Sequence, residues 1–300
     1  MTGRWRIAAA VAAVATATSA PAQQPVFKTR SDLVSVNVSV KNRNTPVAGL
    51  AAADFRLFDN GVPQKVEQVS LESVPIDLTL FFDTSPSFIG NLNDLKDDLR
   101  KIAALLAEND RIRLIAFATE IEEVVPWTPA GQTPDVSALR VGEISPVYDG
   151  LAASLLHRPG LDRRHLVVAM TDGLDYNGAV SSVLLLDMSA RTEAVLFLVL
   201  LRSQGIRQQS YRPQPMMRGP DVLNFERLQA SAERTGGGVQ IPLLDENIVN
   251  MFKKVFSDFR TSYVLRFAPS GPPVAGWHDL KVEVPSHPRA TIRARRGYTQ

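Results

Sequence analysis

The chain has 300 residues, 45% hydrophobic and 21% charged, which is enough for one large domain or two modest ones around a substantial core. It has no cysteine, which excludes disulfides, thiolate zinc sites and lipid attachment at a cysteine. Its 33 basic and 31 acidic residues become 31 against 31 once Arg4 and Arg6 in residues 1–22 are set aside, so charge gives no reason to invoke nucleic acid.

Residues 1–22 read as a secretory signal peptide. Arg4 and Arg6 precede a small-residue apolar run from Ile7, and Ala20-Pro21-Ala22 supplies an A-x-A cleavage site, with cleavage expected after Ala22. The run is shorter and richer in Ala and Thr than the roughly 20 apolar residues a membrane-spanning helix needs. No later stretch is long and apolar enough either, so the expected location is periplasmic or secreted, with no membrane span in the mature chain.

Residues 27–73 form an N-terminal β segment. In "DLVSVNVSVKN", Val34, Val36, Val38 and Val40 alternate with Ser35, Asn37, Ser39 and Lys41. "DFRLFDNGVPQKVEQVSL" holds two short strands about Asn60-Gly61, a strong hairpin signal.

Strand–helix alternation runs through residues 74–262. "IDLTLFF" suits a strand buried on both faces. Leu92, Leu95, Leu99, Ile102 and Leu106 recur at helical spacing. "RIRLIAFA" is a strand with "IEEVVPW" as hairpin partner, "VYDGLAASLL" a helix and "RHLVVAMTDG" a strand. "EAVLFLVLL" is another strand, "DVLNFERLQASAERTGG" a helix closed by Gly236 or Gly237, "GVQIPL" a short strand and "NIVNMFKKVFSDFR" a helix. The alternation predicts an α/β fold with a doubly wound, mainly parallel sheet and helices on both faces. Residues 263–300 return to β, with three strands in "SYVLRFAP", "HDLKVEVPS" and "ATIRARRGY". The two β flanks are expected to pair into a small sandwich.

Ligands of an open parallel sheet bind beyond the carboxyl ends of its strands. Oxygen side chains reach that edge from Asp83-Thr84-Ser85-Pro86-Ser87, from Ser145 before "PVYDGL", and from Asp172 after "LVVAMT". A bland reading exists for each: Ser85 or Ser87 could cap the following helix, and Asp172-Gly173 could be a turn. Neither explains why all three fall at one edge. Hydroxyls with carboxylates suit a hard divalent cation. Asp149 reads as a first-turn helix residue and Asp175 as a weak outer candidate. "TGGG" at 235–238 lies in the wrong order for a phosphate loop, and His157, His165, His278 and His287, lacking metal spacing, are expected at the surface.

The loop 202–220 carries Arg202, Arg207, Arg212 and Arg218 with one acid-free stretch between strand and helix. It is either a solvated insertion or a basic rim that draws an acidic partner to the same edge.

The set Asp-x-Ser-x-Ser, a later hydroxyl and a later Thr-Asp-Gly resembles the metal-ion-dependent adhesion site of von Willebrand factor type A domains over about residues 74–262. The flanks "VSVNVSVKNRNTPVAGLAAADFRLFDNGVPQKV" and "SYVLRF…HDLKVEV…RARRGY" look like the bacterial exported subfamily of von Willebrand factor A-related domain proteins. The resemblance implies a Rossmann-like sheet whose metal ligands are Asp83, Ser85 and Ser87 from the first loop, Ser145 from the second and Asp172 from the third. It implies Mg2+ or Mn2+ as the ion, and as partner a protein or peptide with an exposed Asp or Glu. Ser145 stands where the family usually has Thr and lacks the methyl that helps hold the rotamer; Pro86 removes one N–H from the first loop.

These features favour a metal-dependent, adhesion-type binding module. The alternative is an envelope structural or assembly component with a degenerate or purely structural metal site. A metal-dependent hydrolase is disfavoured: the chain has no G-x-S-x-G elbow, no H-E-x-x-H and no histidine base placed beside a nucleophile.

Overall fold

Alternating valines set the first strand. β1 (Val34–Asn42) buries Val36, Val38 and Val40 on one face. β2 (Thr45–Pro46), β3 (Arg56–Asp59), β4 (Val62–Gln64) and β5 (Gln68–Ser70) follow. Asn60 and Gly61, between β3 and β4, have φ of 47° and 79°, the left-handed pair that a two-residue hairpin requires. The computed structural model describes residues 33–299 apart from 44, 72–73, 86–91, 118, 144–145, 161, 174, 176–177, 201–219, 242–246 and 273.

β6 (Ile76–Asp83) is buried at every position, as a central strand covered on both faces must be. The chain continues through α1 (Leu92–Ala103), β7 (Arg111–Phe117), β8 (Ile121–Pro129), α2 (Val147–Leu155), β9 (Arg164–Thr171) and α3 (Ser182–Arg191). β10 (Val195–Leu200), α4 (Pro220–Arg234), β11 (Gly238–Gln240) and α5 (Ile248–Arg260) complete the alternation. The strand order is β11-β10-β9-β6-β7-β8, parallel except for the antiparallel edge strand β8. Leu95, Leu99 and Ile102 of α1 join Phe252, Val255 and Phe259 of α5 on one face. Leu151 and Leu155 of α2, Leu185 of α3 and Leu228 of α4 cover the other. Each such side chain contributes roughly 1.5–3 kcal/mol when fully buried. α2 approaches β6 closely: a Cβ on Gly150 would lie 2.0 Å from the Phe81 ring.

α3 is not marked by helical spacing in the sequence. Its apolar run faces both ways, with Leu185 buried and Val183 and Leu184 exposed, so no amphipathic stripe stands out. Its start is nevertheless capped, since the Ser181 side chain accepts from Leu184 N.

The C-terminal flank holds β12 (Tyr263–Phe267), β13 (Trp277–Glu283), β14 (Thr291–Ala294) and β15 (Gly297–Thr299). The single strand expected over "ATIRARRGY" is therefore two. Arg295 N donates to Asn37 O and Arg296 N to Arg234 O, which turns the chain from one sheet to the other. β14-β1-β12-β5, with β2 beside β1, forms one sheet and β15-β13-β3-β4 the second. Val36, Val38, Leu57, Tyr263 and Leu280 fill the core they share.

This β unit meets the central sheet at the amino ends of its strands. Arg164, opening β9, donates to Asn37 Oδ1 at 2.9 Å and Ser262 Oγ at 2.7 Å. Asp258 of α5 pairs with Lys41 at 2.7 Å and Arg293 at 2.6 Å. The carboxyl ends of the strands lie at the opposite edge.

Candidate functional site at the carboxyl edge

The strand order reverses between β6 and β9. From β6 the chain steps outward to β7 and β8, then returns through α2 to place β9 on the other side of β6. α1 and α2 lie on opposite faces, so a crevice opens where β6 and β9 end, the usual ligand position in an open α/β sheet.

Asp83 ends β6 in that crevice and is fully buried. Its Oδ1 accepts from Ser85 N at 2.9 Å, which curls the first loop back over the carboxylate. Its Oδ2 accepts from Thr171 Oγ1 at 3.1 Å, and the same hydroxyl accepts from Gly173 N at 3.1 Å. The first and third loops are thus joined through Thr171, and Asp172 lies between Thr171 and Gly173, which that hydroxyl binds. Ser85 is buried and Asp172 half-buried.

The approach to the second loop is held against the first. Thr84 N and Oγ1 donate to Phe117 O at 3.0 and 3.3 Å. Gly142 N donates to Thr84 O at 3.2 Å, and Glu143 N to Thr119 Oγ1 at 3.0 Å. Ser87 and Ser145 lie outside the described residues, as do Arg202, Arg207, Arg212, Arg218 and the signal segment 1–22.

Behind the crevice, Asp175 and Asp149 fasten the third loop to α2. Tyr148 N donates to Asp175 Oδ1 at 2.9 Å. Ala179 N and Val180 N donate to Asp149 at 3.0 and 2.6 Å. Burial raises the Asp175 carboxyl above its ordinary range, and the charge of Asp149 adds to the rise. Asp149 is thus a loop clamp rather than only a first-turn charge. Thr171 is the residue that sequence reading overlooked; its place at the very end of a buried strand, one residue before Asp172, was the available signal.

Among the described residues, no three His, Asp or Glu side chains are gathered to hold a metal by themselves. The donor chemistry fits a hard cation that draws on hydroxyls as well as carboxylates, since Asp83, Ser85 and Asp172 bring both types to one crevice.

Two of the four histidines depart from the expected surface positions. His165 and His278 are buried because each ring has polar partners inside. His278 Nδ1 faces Asp59 at 2.8 Å and its Nε2 faces Val274 O at 2.8 Å, while His165 Nε2 faces Thr79 Oγ1 at 2.9 Å.

The central sheet and its helices form a doubly wound, Rossmann-like α/β fold with one antiparallel edge strand. No protein-family model and no curated protein matches the chain. Similar solved structures include an aerotolerance-related membrane protein from Bacteroides fragilis NCTC 9343, at 16% identity and TM-score 0.41, covering 61% of this chain and 98% of that one. BatB from Bacteroides thetaiotaomicron is 15% identical at TM-score 0.40, covering 61% of this chain and 96% of its own. The SpRpn10 VWA domain is 12% identical at TM-score 0.41, covering 60% and 94%. Among the described residues, no helix is long and apolar enough to cross a membrane.

Proposed function

We propose that this protein is an exported binding module that recognises an acidic group on a partner protein or peptide through a divalent cation, Mg2+ or Mn2+, at the carboxyl edge. The observation that carries this reading is the junction of Asp83 with Thr171 at the point where the strand order reverses. Asp83, Ser85 and Asp172 would hold the ion together with Ser87 and Ser145. A bound cation would supply a positive centre with an open position for a partner carboxylate. The arginines at 202, 207, 212 and 218 would form a basic rim that speeds encounter with an acidic partner. Burial of Asp83 and Thr171 favours this binding role over a structural turn, because a turn has no need of two buried polar side chains from different strands.

Thermal unfolding with Mg2+, with Mn2+ and after chelation, for wild type and Asp83→Ala, tests the reading. A native-state ligand stabilises by about 2.7 kcal/mol at a hundredfold excess over its Kd. The expected result is a metal-dependent shift in wild type that Asp83→Ala abolishes while its cooperative transition remains. A shift retained by the mutant would remove the assignment. Metal-dependent stability with metal-independent partner capture would instead favour a structural ion.

A further inference from the structure

At the other end of β6 lies a polar cluster that metal recognition does not use. Asp77 is fully buried there. It accepts from Arg111 Nε and Nη2, each at 2.7 Å, and from Arg163 Nε. His157 Nε2 lies 2.9 Å from its Oδ2. One carboxylate therefore already meets two guanidiniums and an imidazole.

A third guanidinium stands beside them. Arg113 Nη2 donates to Thr79 Oγ1 at 3.2 Å, but its Nε is buried with no hydrogen-bond partner. Its ion-pair partner, Glu123, is 3.8 Å away with a side chain 48% exposed, too far for a hydrogen bond. His165 Nδ1, in the same cluster, is also buried without a partner. Of the three buried side-chain atoms without partners among the described residues, two are therefore here. Trp127 of β8 organises the cations: Arg111 and Arg113 lie over its ring at 4.8 and 4.7 Å, and His157 packs 4.6 Å from it.

Three guanidiniums thus share one buried carboxylate and one distant, half-exposed glutamate. A half-buried positive excess is costly unless an anion answers it. Burial lowers the pKa of Arg113, in keeping with that cost. The cluster reaches solvent through Arg111, whose side chain is 35% exposed, and the half-buried Trp127, while Arg113 lies deeper at 15%.

We propose that Arg113 and Arg111, ordered by Trp127, form an oxyanion-binding site for a carboxylate or phosphate group, at the end of the sheet opposite the candidate metal site. The planar guanidinium matches either oxyanion through paired hydrogen bonds, and stacking on the indole orders the long side chains before the ligand arrives. The site is independent of the metal reading.

The test follows thermal unfolding and tryptophan fluorescence of the full chain, free of divalent metal, as sodium phosphate or sodium acetate replaces sodium chloride at constant ionic strength. Wild type should respond saturably to at least one of them; phosphate alone would identify a phosphate ligand, and acetate alone a carboxylate. Arg113→Gln should weaken the response at least tenfold. Arg113→Lys keeps the charge but not the fork, and should weaken it severalfold; it serves where the glutamine variant does not unfold cooperatively. Asp83→Ala should retain the full response, which separates this site from the metal. No saturable response in wild type, or an equal midpoint in wild type and both Arg113 variants, would overturn the proposal.

Discussion

β6 carries a buried aspartate near each end, and the two are treated in opposite ways. Asp77 sits among Arg111, Arg163 and His157. Burial alone would raise its pKa, but the hydrogen bonds from these three outweigh it and hold the carboxyl well below the usual carboxylate range. Asp83 instead accepts from a threonine hydroxyl and a backbone N–H. A carboxylate matched by fixed cations is a staple of the fold. One that accepts from a threonine hydroxyl of the neighbouring strand and a backbone N–H of the loop is oriented at the strand end, as the proposed cation site would require.

Replacing each aspartate should break this contrast most visibly. Asp77→Ala strands Arg111 and Arg163 around an empty position, and by the usual cost of breaking a buried ion pair it should lose about 3–5 kcal/mol in denaturant unfolding. Asp83→Ala without metal should cost less, about 1–3 kcal/mol, because the bonds it removes from the Thr171 hydroxyl and Ser85 N come from neutral donors. Equal losses would show that Asp83 is a structural anchor of the same kind as Asp77.

Acid should separate the two ends more finely. Since the folded pKa of Asp77 lies below its ordinary 3.8, its stabilisation is complete above that value and is lost as pH falls through the folded pKa. Unfolding free energy should therefore fall with acidification below about pH 4, and Asp77→Asn should flatten that fall. The smallest effect concerns Asp175, whose folded pKa is raised. Its charged form is disfavoured in the fold, so Asp175→Asn should match or slightly exceed wild-type stability at pH 7. The advantage should vanish at pH below the ordinary carboxylate range, where the wild-type group is protonated in both states. A clear loss at pH 7 would mean that the bond to Tyr148 N needs the carboxylate.

Much of the fold was legible because burial leaves a local record. The apolar run of β6, the valines of β1 and the spacing of Leu95, Leu99 and Ile102 each state what one element hides. α3 left no such record, since its exposed Val183 and Leu184 blur the stripe that Leu185 belongs to. The switch at Arg295 was hidden for a different reason: it depends on Asn37 and Ala190, both far away in the chain. The Asp83 and Asp172 loops announced themselves by residue type at strand ends, whereas Thr171 became significant only when β9 lay beside β6.

By itself, the sequence determined most of the strands and helices and which strand ends carry oxygen side chains, because hydrophobic period and turn chemistry are properties of neighbouring residues. Only the tertiary structure decided which ends meet, that Asp77 is neutralised by arginines while Asp83 is tied to Thr171 across the sheet, and that Arg113 stands beside Trp127 with an unanswered donor. Those outcomes depend on strand order and register, which bring residues scores of positions apart to within hydrogen-bond reach, and no local pattern encodes that distance.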